Sequence, residues 1–75
     1  MKLEEFVQLF AEQFDDTPVD SFTPETNYRT LEEWGSLVAL SVISMVDDEF
    51  EKRITGADLK SCKTIRELYE LIISK

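Results

Sequence analysis

Seventy-five residues make one small domain with limited apolar area to bury, too little to enclose a deep, dry active site. An apolar fraction of 43% nevertheless suits a folded globule rather than an open tail. Sixteen acids against eight bases give a net charge of −8, which repels nucleic-acid phosphates and anionic lipid headgroups and favours partners with basic patches.

The first element is helical by its period. Leu3, Phe6, Val7, Phe10 and Phe14 form one stripe, and the spacing predicts a helix over about 2–15. Glu4 and Glu5 lie in its first turn, where the helix dipole favours negative charge. Residues 16–35 read as a long connection, since Pro18 and Pro24 forbid a continuous helix and Asp, Ser, Thr and Asn recur between them. Val19, Phe22, Tyr28 and Leu31 are spaced as anchors that would pin this loop over the helices, with room for a short helical turn before Leu31. A loop this long in so small a domain is functional or anchored.

A second helix is expected over about 36–51, with Gly35 allowing a sharp entry and Ser36 capping an orphan N–H. Its apolar positions are more than one core-facing stripe needs. Ala39, Val42, Ile43, Val46 and Phe50 make a good inward face, leaving Leu37, Val38 and Met45 partly surplus. Asp47, Asp48, Glu49 and Glu51 crowd its last turn, where the dipole disfavours them, and acids that cost local helix stability invite a functional reading. A short third helix, about 56–61, follows from a Thr55/Asp58 capping box with Ile54 and Leu59 as a hydrophobic staple. The fourth, about 65–74, opens on a Thr64/Glu67 capping box and carries the stripe Ile65, Leu68, Tyr69, Ile72. The sum is an all-α bundle.

Residues suited to catalysis are scarce. There is no His, and Cys62, the only Cys, has no imidazole partner and forms neither an internal disulfide nor a metal knuckle. Ser41 and Ser44 lack a base. The acids fall in solvated runs without the central Gly and closing Glu of a calcium loop. No catalytic residue and no metal ligand is assigned. The chain runs from Met1-Lys2 straight into an amphipathic pattern with no secretory leader and no membrane-spanning run, so the cytoplasm is the expected compartment and a monomer the expected state. The charge is also unevenly placed: residues 1–51 hold 13 acids and 2 bases, while residues 52–75 hold 3 acids and 6 bases. A basic partner would approach the first two thirds.

The informative stretch is Leu31-Glu32-Glu33-Trp34-Gly35-Ser36-Leu37: a long loop, a Ser opening a helix, an immediate Leu, and a helix that ends in acids. It resembles the acyl carrier protein family, whose attachment motif reads Asp-Ser-Leu at the start of its second helix. The resemblance covers the helix order, the long first loop, the spacing from Ser36 to the acids and Phe50, the short third helix and a last helix that begins Thr-Ile. It implies a four-helix acyl-carrier-like bundle with a long loop between helices 1 and 2 and a short third helix. Ser36 would then be the attachment point of a 4′-phosphopantetheine arm taken from coenzyme A.

A separate phosphopantetheinyl transferase with a divalent metal would set the Ser36 hydroxyl against the pyrophosphate of coenzyme A, and a nucleotide bisphosphate would leave. The thiol-ended arm would carry acyl or aminoacyl groups as thioesters to enzymes of fatty-acid, lipid or secondary-metabolite assembly. Docking to acyl-transferring or condensing enzymes with basic patches would use Glu32, Glu33, Asp47, Asp48, Glu49 and Glu51, with Leu37 and Val38 as apolar contacts. One departure stands out: the family's Asp before the serine is Gly35 here, which bears on how efficiently the modifying enzyme engages it. Val38, Ser41 and Ser44 replace acids often found early in that helix, pointing to a dedicated partner set. Trp34 resembles a variant motif of specialised carriers. Plainer readings stand beside these: Ser36 as a helix cap alone, the acidic run as a solvated helix end, Leu37 and Val38 as core, Trp34 as loop packing. At the level of function the alternative is an unmodified acidic helical interaction module using the same fold.

Overall fold

The computed structural model describes all residues, 1–75, and contains four α-helices and no strands. They are α1 (Leu3–Ala11), α2 (Ser36–Phe50), α3 (Gly56–Ser61) and α4 (Ile65–Ser74), with single 3-10 turns at Val19–Ser21 and Tyr28–Thr30 in the long connection. The last three match the expected ranges within a residue. α1 packs on α2 and α4, and α3 on α2.

α1 is shorter than its sequence period implies. It ends at Ala11, and Phe14, expected as its last core position, is buried from the turn that follows. The physical reason is non-local. Phe14 packs on Phe22 (4.9 Å between ring centroids) and lies over Trp34 (6.4 Å), while the next N–H groups are taken by the Glu33 side chain rather than by a further helical turn. α3 and α4 start as local rules dictate. The Thr55 hydroxyl accepts from Asp58 N–H and the Asp58 carboxylate from Thr55 N–H. Thr64 and Glu67 repeat the exchange at α4.

The core is one cluster in which Phe6, Phe10, Tyr28, Val42, Val46, Ile65, Leu68 and Ile72 are inaccessible to solvent. Of the four loop anchors, Phe22 and Tyr28 are buried and Leu31 is half-buried, but Val19 is exposed, because it lies in a 3-10 turn that faces outward. The second 3-10 turn starts at Asn27, whose side chain accepts from Arg29 N–H. The loop is further held at Tyr28, whose hydroxyl donates to Leu59 O (2.5 Å) and lies 3.1 Å from Cys62 O, and by the backbone bond from Ile65 N–H to Thr26 O. Cys62 is buried, as a small core residue.

Met45, read from the sequence as partly surplus, belongs to the core. Leu40 is the residue turned outward, 62% exposed. α2 is rotated so that Val42, Met45 and Val46 face inward while Ala39, Ile43 and Phe50 are half-buried at the margin.

Candidate functional site

The site is built at the head of α2. Gly35 is the last non-helical residue, with fully extended backbone (φ −171°, ψ −173°), and its carbonyl accepts from Ala39 N–H at 2.9 Å to close the first turn. Ser36 is therefore the first helical residue and not the cap. The expected hydroxyl cap is absent, and no side chain caps this helix. Nor is Gly35 needed for the entry: its φ is open to any residue, and a Cβ there would meet nothing within 4 Å.

This geometry leaves the Ser36 hydroxyl in solvent, with no hydrogen bond to the rest of the chain. The N–H groups of Ser36, Leu37 and Val38 open toward the same end, where the dipole of a 15-residue helix presents partial positive charge. Beside Ser36 lies a cleft of about 200 Å³ between α2 and α3, lined by Trp34, Ser36, Ala39, Gly56, Leu59 and Lys60. Trp34 is half-buried and held by aromatic neighbours. It stacks parallel to Phe10 (10° between planes, 6.3 Å) and meets Tyr28 edge-on at 4.9 Å. An anion attached at Ser36 would find helix-end N–H groups and, lining the same cleft, Lys60, and a flexible chain beyond it would find the apolar side chains of Trp34, Ala39 and Leu59. The residues present fit a phosphodiester-linked arm.

The other predicted site residues are divided by the fold. Leu37, one position on, is 82% exposed. Val38 is half-buried against the core, so it offers a partner only part of its surface. Glu32 is exposed. Glu33 is not free in the same way: its carboxylate accepts from the N–H groups of Asp15 (2.7 Å), Asp16 (3.1 Å) and Thr17 (3.0 Å) and from the Thr17 hydroxyl (2.8 Å). Both its oxygens are engaged, and the side chain ties the end of α1 to the turn before Trp34.

Asp47, Asp48 and Glu49 are exposed at the far end of α2, about 18 Å along the axis from Ser36 at roughly 1.5 Å per residue. Glu51 follows them in left-handed conformation (φ 55°). The ion pairs present, Arg66–Glu25 and Lys75–Asp58, involve none of these acids, so their charge is unneutralised within the chain.

Sequence reasoning missed Leu40 as an exposed apolar residue, and Gly56, Leu59 and Lys60 as the opposite wall of the cleft. The excess of apolar residues in α2 signalled the first, although it did not say which residues were in excess. Nothing local signalled the second, because α3 reaches Ser36 only through tertiary packing. No group of three or more Cys, Asp or Glu residues is arranged to hold a metal ion, and no helix is long and apolar enough to cross a membrane.

Residues 4–72 match the family model described as phosphopantetheine attachment site. No curated protein and no solved structure is a significant match to the chain. The matched segment takes in most or all of each of the four helices and nearly the whole of the 75 residues, so that this chain belongs to the phosphopantetheine-attachment family, the carrier domains on which 4′-phosphopantetheine is covalently held.

Proposed function

We propose that Ser36 is the attachment residue, and that the chain is a holo-carrier delivering acyl or aminoacyl thioesters to enzymes of fatty-acid, lipid or secondary-metabolite assembly in the cytoplasm. The observation that carries this reading is an exposed, unpartnered hydroxyl at the uncapped positive end of α2, beside a cleft that holds Lys60. The arm supplies a terminal thiol for thioester chemistry.

What the chain contributes is placement. α2 presents the hydroxyl to an external transferase. In the transfer, the Ser36 oxygen forms a bond to phosphorus of the coenzyme A pyrophosphate, the bridging P–O bond breaks, and the nucleotide bisphosphate departs. The hydroxyl proton passes to a base of the transferase, since this chain has no His and no carboxylate bonded to Ser36. The N–H groups at the helix head and Lys60 then favour the anionic linkage that results.

Glu32, Asp47, Asp48, Glu49 and Glu51 would steer basic partners, with Leu37 as the exposed apolar contact and Val38 at its edge. Exposed ion pairs are worth roughly 0–1 kcal/mol each, so docking would be weak and salt-sensitive, as a shuttle requires. Glu33 drops out of this set because its oxygens are occupied within the chain.

Intact mass after incubation with a broad-specificity phosphopantetheinyl transferase, magnesium and coenzyme A tests the assignment. A gain of one phosphopantetheine that disappears in Ser36→Ala is the expected result; no gain, or a gain that survives the substitution, removes it. Gly35 favours a second reading, an unmodified acidic interaction module, because it stands where the resembled motif carries Asp and leaves α2 without a side-chain cap. Recovery of holo-protein from the native host would end that reading.

A further inference from the structure

Tyr28 stands behind the Ser36 cleft. Its ring meets Trp34 edge-on at 4.9 Å and its hydroxyl donates to Leu59 O at 2.5 Å, so it holds two of the six residues that line the cleft. The ring is itself inaccessible to solvent and is backed by Phe10, 5.4 Å away. Val42, one turn beyond Ala39 on the inward side of α2, is equally closed. The two other hollows of the surface lie along α1 and share no residue with the cleft. The cleft is therefore a blind one, of about 200 Å³.

We infer that Tyr28 limits the cargo this domain can seat to a short acyl group, the size of hexanoyl or a single ring, without a free ammonium. The inference rests on attachment of the arm at Ser36. Size argues for it first. A closed cavity of about 150 Å³ accepts one benzene, so a cleft of about 200 Å³ accepts a group little larger. Trp34, Ala39 and Leu59 supply apolar contact, each buried methylene favouring the seated state by up to about fourfold. A longer chain meets the Tyr28 ring. Passing it would break the hydrogen bonds to Leu59 O and Cys62 O and leave both carbonyls without that partner. Charge argues second. The lining contains Lys60 and no carboxylate, and the nearby end of α2 is positive, so the α-ammonium of an aminoacyl group finds no counter-charge.

Attachment at Ser36 by itself leaves acyl and aminoacyl cargo, short or long, equally open. The closed wall behind the cleft does not. The flexible arm folds back once to bring its thioester end to the cleft, and the seated state exchanges with one in solvent, from which a partner enzyme takes the cargo. A short acyl group is shielded between encounters. A long chain leaves most of its methylenes in water, where nothing in this domain covers them.

The test loads the isotope-labelled full chain from butanoyl-, hexanoyl-, octanoyl-, dodecanoyl- and norleucyl-coenzyme A with a broad-specificity transferase, and reads NMR shifts against the unacylated holo-protein. Norleucyl repeats the hexanoyl skeleton with an α-ammonium. Shifts are expected at Trp34, Ala39 and Leu59, growing from butanoyl to hexanoyl and levelling by octanoyl. Val42, Val46 and Ile65 should stay unmoved by dodecanoyl, and norleucyl should give a shift several-fold smaller than hexanoyl. Tyr28→Leu, its folding checked by circular dichroism, should let dodecanoyl move Val42 and Ile65; the parent series decides the length limit even where this variant does not fold. The inference is overturned by core shifts with dodecanoyl in the parent, by a cleft unmoved by hexanoyl, by norleucyl seated as well as hexanoyl, or by a folded Tyr28→Leu that still stops dodecanoyl. Intact mass separates this from the attachment reading: no addition at Ser36 removes that reading and the inference with it, whereas addition followed by core shifts overturns the inference alone.

Discussion

The carboxylate of Glu33 accepts two hydrogen bonds from Thr17, one from its backbone N–H at 3.0 Å and one from its hydroxyl at 2.8 Å. With the N–H groups of Asp15 and Asp16 also pointing at it, this side chain replaces the helical turn that α1 would otherwise add. Desolvation acts to raise its pKa, but the bonds from Thr17, Asp15 and Asp16 outweigh it and hold the carboxyl below its ordinary value. The unfolded chain therefore binds the proton more readily than the native one. The stabilisation is complete above the ordinary carboxylate range of about 4–5 and is lost as pH falls through the depressed native value. Glu33→Gln should lower the urea midpoint at neutral pH, since an amide nitrogen cannot accept these donors, and the gap to the parent should narrow below about pH 4. A gap of constant size down to acid pH would show that the carboxylate charge is not what holds the loop.

Tyr28 holds the same loop to the other end of the bundle. Burial, followed by the neighbouring Cys62, pushes its hydroxyl well above the ordinary phenol value, so it stays a protonated donor toward Leu59 O and Cys62 O. Tyr28→Phe keeps the ring and leaves those carbonyls at the end of α3 without their partner. Urea unfolding should show a loss of about 1–2 kcal/mol. Hydrogen exchange should concentrate the loss at α3, which forms one wall of the Ser36 cleft. A loss spread evenly over all four helices would mean that the hydroxyl anchors nothing in particular.

Such long-range ties separate what was legible in the sequence from what was not. α3 and α4 could be read because their starts are written locally, in Thr55 with Asp58 and Thr64 with Glu67, and each box forms as spelled. The end of α1 could not, because Phe14 continues the helical period perfectly well. What stops the helix is Glu33, sixteen to eighteen residues further on, together with the aromatic neighbours of Phe14. On α2 the surplus of apolar residues was visible, but a period alone does not set rotation. Packing against α1 placed Met45 in the core and turned Leu40 out. Ser36 was legible as the start of α2, but not the role of its hydroxyl: as a cap it would be tied to the backbone, whereas on the first helical residue it is exposed.

Glu51 combines two local costs. It is the only non-glycine residue with positive φ, and it extends an acidic run at the negative end of α2. The left-handed region costs an ordinary residue roughly 1–2 kcal/mol, and Asn tolerates it better while removing the charge. Glu51→Asn should therefore raise stability by about 1 kcal/mol in urea unfolding. If this carboxylate also meets partner cations, the same substitution should slow association with a basic partner at low salt and leave it unchanged at high salt. Unaltered stability would show that the turn after α2 is held by contacts other than the Glu51 backbone.

Gly35→Asp separates two consequences of one missing carboxylate. The position is extended and open, with nothing within 4 Å of where a Cβ would stand, so the change brings no clash. An Asp there can accept from the free N–H groups of Leu37 or Val38 and places negative charge at the positive helix end. Glycine is itself a tolerable cap, so the gain in stability should be only about 0.5 kcal/mol. The kinetic effect should be larger, because the resembled attachment motif uses this carboxylate to engage the modifying enzyme. Transfer from coenzyme A to Ser36, followed by intact mass, should run several-fold faster than in the parent, beyond the roughly two- to threefold that 0.5 kcal/mol represents. Gly35→Ala is the control: it alters the backbone without adding a carboxylate and should speed nothing. If Asp stabilises α2 but leaves the transfer rate at the parental value, Gly35 is not what limits modification.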